Sequence, residues 1–322
     1  MSRIDENPVV AQHHFTSFEV FSSVLSGYDL DMKQIDNGPF SASMKQVQYG
    51  PVTINRFTTT RRFEANGNPP PGVRTFGIPT AECQPFIWRG KKTSGNTIQI
   101  YRPSTELALI THPHFEAIDI SIHEDDFNAL NQRYGLPELD EMIGSREMVD
   151  CDPAIMYRLR KTLLYICESV DSNSDHFEQH TGLQNLIKYE IPYLLAQSLM
   201  SSEEHRVNVS AKKRSRALKT AIDYINTAWN EAASVHNLCQ QTGINERTLQ
   251  RAFLDQYDVT PKAYIKMHRL NEAYKALLHS DPLTTKVTDI ALGQGFWHMS
   301  QFATDYRYHF GELPSETLRY RN

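Results

Sequence analysis

The chain has 322 residues, 40% of them hydrophobic and 22% charged, a length that suggests about two globular domains and a composition unlike disordered, collagen-like or coiled-coil chains. No uncharged apolar run approaches the ~18 to 20 residues that cross a bilayer, and Met1–Pro8 carries early acids without the apolar segment of a secretory signal, so a cytoplasmic protein with no membrane association is expected. The net charge of -5 is unevenly shared: residues 211–322 hold 15 Lys and Arg against 11 Asp and Glu, so a mildly basic module follows an acidic one, an asymmetry that hints at a polyanion-binding tail.

Along the chain, Phe15, Phe18, Val20, Phe21, Val24 and Leu25 recur with helical period, predicting a short helix over 15–25 that ends at Gly27. From about 43 to 123 the pattern becomes that of an antiparallel barrel or sandwich. Short segments rich in Val, Ile, Thr, Tyr and Phe (47–49, 52–57, 73–78, 86–88, 97–101, 107–110 and 117–122) alternate with Gly, Pro and Asn punctuation. Asn66–Gly72, with three prolines, reads as a loop. His123–Asp126 puts acids in a first helical turn, and helical spacing then continues through 153–170 and 182–200. The apolar runs at Leu159, Leu163 and Leu164 and at Leu194, Leu195 and Leu199 suit either internal packing or a dimer seam. Residues 201–216 are polar and read as an interdomain linker running into the next helix. Lys212–Arg216 within it either grips phosphates or is a solvated linker.

The chemistry lies beyond the linker. Ser234–Asp255 contains two short helical stretches around Gly243: Val235, Leu238 and Cys239 form an inner face, Gly243 permits a tight turn, and Ile244, Leu249, Ala252 and Phe253 pin the second stretch. Arg247, Gln250 and Arg251 are left outward. Arg binds guanine O6 and N7 bidentately and Gln reads adenine N6 and N7, so this face is suited to a major groove. Val287–Phe310 repeats the arrangement with a turn at Gly293–Phe296. Ile290, Ala291, Phe296, Met299, Phe302, Ala303, Tyr306 and Phe310 face inward, and Trp297, His298, Gln301, Thr304 and Asp305 outward. Helical spacing makes Phe302, Tyr306 and Phe310 core rather than a stacking platform, whereas Trp297 either caps the turn or touches DNA. Between the units, Pro261 opens a helix of roughly 18 residues, about 27 Å long. A spacer of that length lets two reading helices enter successive major-groove segments about 34 Å apart.

Over roughly residues 215–321 the sequence resembles the AraC/XylS family of bacterial transcription regulators. The match rests on Pro261-x-x-Tyr264-Ile265-x-x-x-Arg269-Leu270-x-x-Ala273, then Ile290-Ala291-x-x-x-Gly295-Phe296, Phe302, Phe310-Gly311 and Pro314-Ser315. The resemblance implies a seven-helix DNA-binding domain that activates transcription by touching promoter DNA and RNA polymerase. It places base contacts on Arg247, Gln250 and Arg251 in the first unit and on His298, Ser300, Gln301 and Thr304 in the second. The chain departs from the family pattern at Trp297-His298 and Thr304, where Ser or Asp and a basic residue are common. The segment from Gly295 to Arg319 is similar to the subset that regulates aromatic-acid or amine catabolism. Phe76-Gly-Ile-Pro79 with Ser121–Leu130 resembles the sensor domain of the ethanolamine-operon regulators, implying a cupin-like barrel for a small-molecule effector and helices that form a homodimer.

His112-Pro-His114 offers paired imidazoles, but Glu116 and Asp119 do not fall where a cupin carboxylate should, and no Gly-rich phosphate loop, Ser-His-Asp order or carboxylate pair stands out. The four cysteines (83, 151, 167 and 239) are scattered, with no C-x-x-C pair. No enzyme, metal or cofactor is therefore expected. Cys83 and Trp88 could line a ligand pocket or fill a core. The expectation is an α+β protein: an effector-binding and dimerisation domain over 1–200 (barrel about 43–123, helices about 124–200), a linker over 201–216, and an AraC-type domain with two helix-turn-helix units over 217–322. The alternatives are a cupin-type metalloenzyme with a DNA-binding appendage and a constitutive regulator without an effector.

Overall fold

The computed structural model describes residues 9–24, 28–102, 105–170, 177, 180–201, 209–227 and 234–319, with side chains in the helix at 209–227 described from Leu218 onward. Twelve strands among these residues form two antiparallel sheets. The larger orders β1 (Val9–Phe15), β3 (Ala42–Tyr49), β4 (Val52–Thr59), β11 (Phe115–His123), β6 (Val73–Pro79), β9 (Thr97–Tyr101) and β12 (Met148–Asp150). The smaller orders β2 (Asp29–Gln34), β5 (Phe63–Asn68), β10 (Leu107–Ile110), β7 (Ile87–Trp88) and β8 (Lys91–Lys92).

Side-chain alternation explains the layering, because successive strand residues face opposite sides. On β11, Ile118, Ile120 and Ile122 join one buried cluster with Val52, Ile54, Phe76 and Ile78, against the helices that follow. Phe115 and Ala117 point the other way, into the space between the sheets, with Phe57, Phe63, Trp88 and Tyr101. All seven segments expected as strands are strands.

Two expectations for this part need correction, and two left open fall to internal packing. The helix predicted over 15–25 is α1 (Phe18–Val24), and Phe15 instead ends β1, because Phe15, Phe18 and Phe21 are all drawn into the inter-sheet core; Leu25 and Gly27 lie outside the described residues. The loop assigned to 66–72 begins only after Asn68. Gly67 sits in β5 because a Cβ there would come within 1.9 Å of the Asp29 carbonyl oxygen. Trp88 is core, its ring 4.6 Å from that of Tyr101 and tilted 51° to it, and Cys83 packs beside the same core. The leucine runs on α4 (Pro153–Ser169) and on the later helix pack internally: Leu159, Leu163, Leu194, Leu195 and Leu199 are buried in the cluster beneath the larger sheet, and Leu164 packs against it.

After α2 (Glu124–Arg133), α3 (Leu139–Ile143) and α4, the chain continues through α5 (Thr181–Asn185), a π-helical turn (Leu186–Glu190) and α6 (Ile191–Met200). Asp152 caps α4 by accepting from Ala154 and Ile155 N–H at 2.9 and 3.1 Å, with Pro153 at the tolerated first position. Seven helices follow: α7 (Val209–Thr227), α8 (Val235–Thr242), α9 (Glu246–Tyr257), α10 (Pro261–Leu278), α11 (Val287–Gly293), α12 (Met299–Phe310) and α13 (Pro314–Arg319). The stretch read as linker is therefore helical from Val209, and Lys212–Arg216 lies on α7; 202–208 lie outside the described residues. No helix among the described residues is long and apolar enough to cross a membrane.

Candidate DNA-reading surface

Each reading unit is built by local rules that the sequence carries openly. Ser234 caps α8 by accepting from Asn237 N–H at 3.2 Å, and Gly243 closes it at φ 66°. A left-handed residue with a Cβ costs roughly 1–2 kcal/mol, so Gly243→Ala is expected to lower the unfolding free energy by about 1 kcal/mol, read as a lower melting temperature. Asn245 then caps α9 by accepting from Thr248 N–H at 2.9 Å. Leu249, Ala252 and Phe253 are buried, which leaves Arg247, Gln250 and Arg251 exposed on one face as expected. Acids on the same helix hold two of these: Gln250 donates to Glu246 at 3.0 Å, and Arg251 pairs with Asp255 at 2.9 Å.

In the second unit, Ala291, Phe302 and Tyr306 are buried, with Phe296 packed on Phe302 at 4.9 Å. Trp297, 63% exposed, does not plug the turn, and His298, Ser300, Gln301 and Thr304 are exposed beside it. Asp305 departs from expectation. Its side chain is 16% exposed, paired with Lys266 of α10 at 3.0 Å, and it accepts from Gln301 at 3.1 Å. It therefore positions Gln301 instead of joining the open surface. The spacer α10 divides its apolar residues between two cores: Tyr264, Ile265 and Met267 belong with α7–α9, while Leu270, Ala273 and Leu277 belong with α11–α13. Each reading helix is thus anchored to one half of a continuous 18-residue rod.

The paired histidines do not converge. His112 is buried, with Nε2 3.3 Å from Cys83 Sγ and Nδ1 2.7 Å from the Pro113 carbonyl oxygen, and burial lowers its pKa, whereas His114 is exposed. No cluster of three metal-ligating side chains occurs among the described residues.

Residues 238–320 match the family described as a helix-turn-helix domain. The chain is also 30% identical over 305 residues to the probable thc operon regulatory protein of Rhodococcus erythropolis, covering 88% of this chain and 87% of that one. The chain belongs to the AraC/XylS family of transcriptional regulators. It is 30% identical over 145 residues to the XylDLEGF operon transcriptional activator of Pseudomonas putida, a match that spans 44% of each. A solved structure of a probable AraC family transcriptional regulator from Rhodopseudomonas palustris is 38% identical, covering 32% of this chain and 95% of that chain with a TM-score of 0.30.

As an AraC/XylS regulator, the chain is a DNA-binding transcription factor and not an enzyme. One feature of it escaped sequence reasoning: the β-rich part grips both reading units. Glu64 of β5, 2% exposed, accepts from Tyr257 Oη at 2.8 Å and from Tyr264 Oη at 2.5 Å. Burial, and then the Glu64 carboxylate, push both phenols well above their usual range. Gln34 of β2 donates to the carbonyl of His309 at 2.7 Å and exchanges bonds with the Asn271 amide at 3.0 and 2.9 Å. Burial lowers the His309 imidazole to about 4, so it sits neutral in this contact. Tyr257 ends α9 and His309 lies near the end of α12, so each reading helix is held at its far end. The available signal was polar residues on otherwise apolar stripes, Asn271 on α10 and His309 on α12.

Proposed function

We propose that this regulator is a ligand-responsive activator of a catabolic operon for an aromatic acid or amine, acting in the cytoplasm on promoter DNA as a homodimer and through RNA polymerase. Residues 1–200 form its effector-binding and dimerisation domain, 201–216 connect, and 217–322 bind DNA. Arg247, Gln250 and Arg251 read one major-groove segment; Trp297, His298, Ser300, Gln301 and Thr304 read the next.

One observation carries the ligand response. On β2 and β5, one face of each strand lines a cavity between the sheets (Leu30, Met32, Phe63 and Ala65), and the opposite face holds the DNA-binding part (Asp31, Lys33 and Glu64). A ligand that shifts these strands therefore alters the grip on α9 and α12. A difference in affinity for the two arrangements of about 1–3 kcal/mol gives a useful population shift. Output of a reporter behind the cognate promoter, measured with a panel of aromatic acids and amines, is expected to change with at least one of them. Identical output with every compound supports the constitutive alternative and overturns this reading.

A further inference from the structure

The cavity between the sheets measures about 50 Å³ and is lined largely by apolar and aromatic side chains, among them Phe21, Phe57, Leu107 and Leu109. One carboxylate interrupts this lining. Asp119 lies on β11 in the same alternation as Phe115 and Ala117, so it points between the sheets and borders the cavity. Its Oδ1 is inaccessible to solvent and has no hydrogen-bond partner among the described residues. The residue opposite it on β4, Asn55, presents a second buried oxygen without a donor. On the other side Asp119 pairs in register with Gly77, above which three groups converge: a Cβ there would lie 2.8 Å from Gln99 Oε1, 3.2 Å from the Tyr101 ring and 3.4 Å from Asp119 Oδ1. Tyr28 and Tyr101 stand edge to face at 6.4 Å beside it. Tyr28 Oη is already engaged by Thr75, which is in turn bonded to Ser121 at 2.8 Å.

Two buried oxygens left without a donor beside an apolar cavity call for a ligand that brings its own donors. An aromatic lining beside a carboxylate favours a cation over an anion. We propose that this cavity binds a one- or two-carbon alkylammonium, its N–H donating to Asp119 and its methyl or ethyl group lying against Phe57, Leu107 and the Tyr101 ring. The assignment rests on reading the β-rich domain as the effector domain, and it selects amines over the carboxylic acids of the same size. Asp119 is also poised to make the site pH-sensitive, because burial pushes its carboxyl up to about 7. The groups facing it are Asn55 from β4, Thr75 and Gly77 from β6, Gln99 and Tyr101 from β9, and Tyr28 before β2. Of these only the two phenols titrate, and burial together with Asp119 raises both above their usual range. Between pH 6 and 8, Asp119 is therefore the wall group that changes charge, while an alkylamine stays protonated.

Calorimetric titration of the full chain with methylamine and ethylamine, against acetate and ethanol, tests this at pH 6 and 8. The expected result is saturable binding of at least one amine, about ten-fold tighter at pH 8 than at pH 6, with no binding of acetate. Asp119→Asn, which removes a buried charge and so is expected to fold, weakens amine binding at least ten-fold and abolishes the pH dependence. Acetate or ethanol binding as tightly as the amines, amine affinity unchanged by Asp119→Asn, or no amine binding at all overturns the assignment. Failure of the underlying reading looks different: an amine that binds through Asp119 yet leaves DNA affinity and promoter output unmoved keeps the site and removes its regulatory role.

Discussion

Replacing Arg251 with alanine is expected to weaken binding to the cognate duplex by about 1–3 kcal/mol, five- to 150-fold, and to relax preference at one base position. Arg251 is tied to Asp255 in the free protein, but an exposed pair one turn apart on a helix contributes only about 0.3–0.5 kcal/mol. A bidentate guanine contact would outweigh it, so the side chain is expected to leave Asp255 for the base. Asp255→Ala should then tighten DNA binding slightly, by about two-fold at most. Gln301→Ala should act like Arg251→Ala at a position in the other half of the site, because Asp305 and Lys266 hold Gln301 in place. Affinities for a set of singly substituted duplexes at fixed salt measure all of this. A loss that is uniform over every sequence, with a shallower salt dependence, would mark Arg251 as a phosphate contact instead.

The second large effect concerns the grip on the reading helices. Glu64 is buried with two phenol donors, and a hydrogen bond to a charged group contributes about 1.5–3 kcal/mol. Tyr257→Phe with Tyr264→Phe leaves that carboxylate without the two phenols and retains nearly all the apolar packing. The double variant is expected to lose several kcal/mol of stability, read as a lower melting midpoint. Its ratio of DNA affinities with and without effector should also fall toward one. A variant that melts lower but keeps its full effector response would show that the signal passes through other contacts. Restoring one phenol at a time should recover part of both quantities.

The helix-turn-helix units were legible because their rules are local. Ser234, Gly243 and Asn245 are cap and turn residues spaced within a dozen positions, and the buried faces recur at helical period. The seven apolar strands were legible for the same reason. What escaped was set by long-range contact. β2 (Asp-Leu-Asp-Met-Lys-Gln) reads as polar because its outward face meets α10 and its neighbours instead of a hydrophobic layer. β5 was mistaken for the start of a loop because Asn66-Gly67-Asn68 is a turn signature, while the glycine is there to admit the Asp29 backbone. Glu64 and Tyr264 are 200 positions apart, so no spacing argument could join them. In the sequence Asp119 reads only as an acid in an isoleucine-rich strand, outside the place of a metal-binding carboxylate. That it borders a cavity between two sheets becomes visible only in the fold.

The two helices α9 and α12 are proposed to enter two successive major-groove segments from one chain. Selection of bound duplexes from a randomised library by the full-length chain, at a stated salt concentration, tests this most directly. Enriched sites should carry two short elements about one helical turn apart, with Arg251→Ala degrading one element and Gln301→Ala the other. Enrichment of a single element that both variants degrade together, or no enrichment over input, would contradict the proposal.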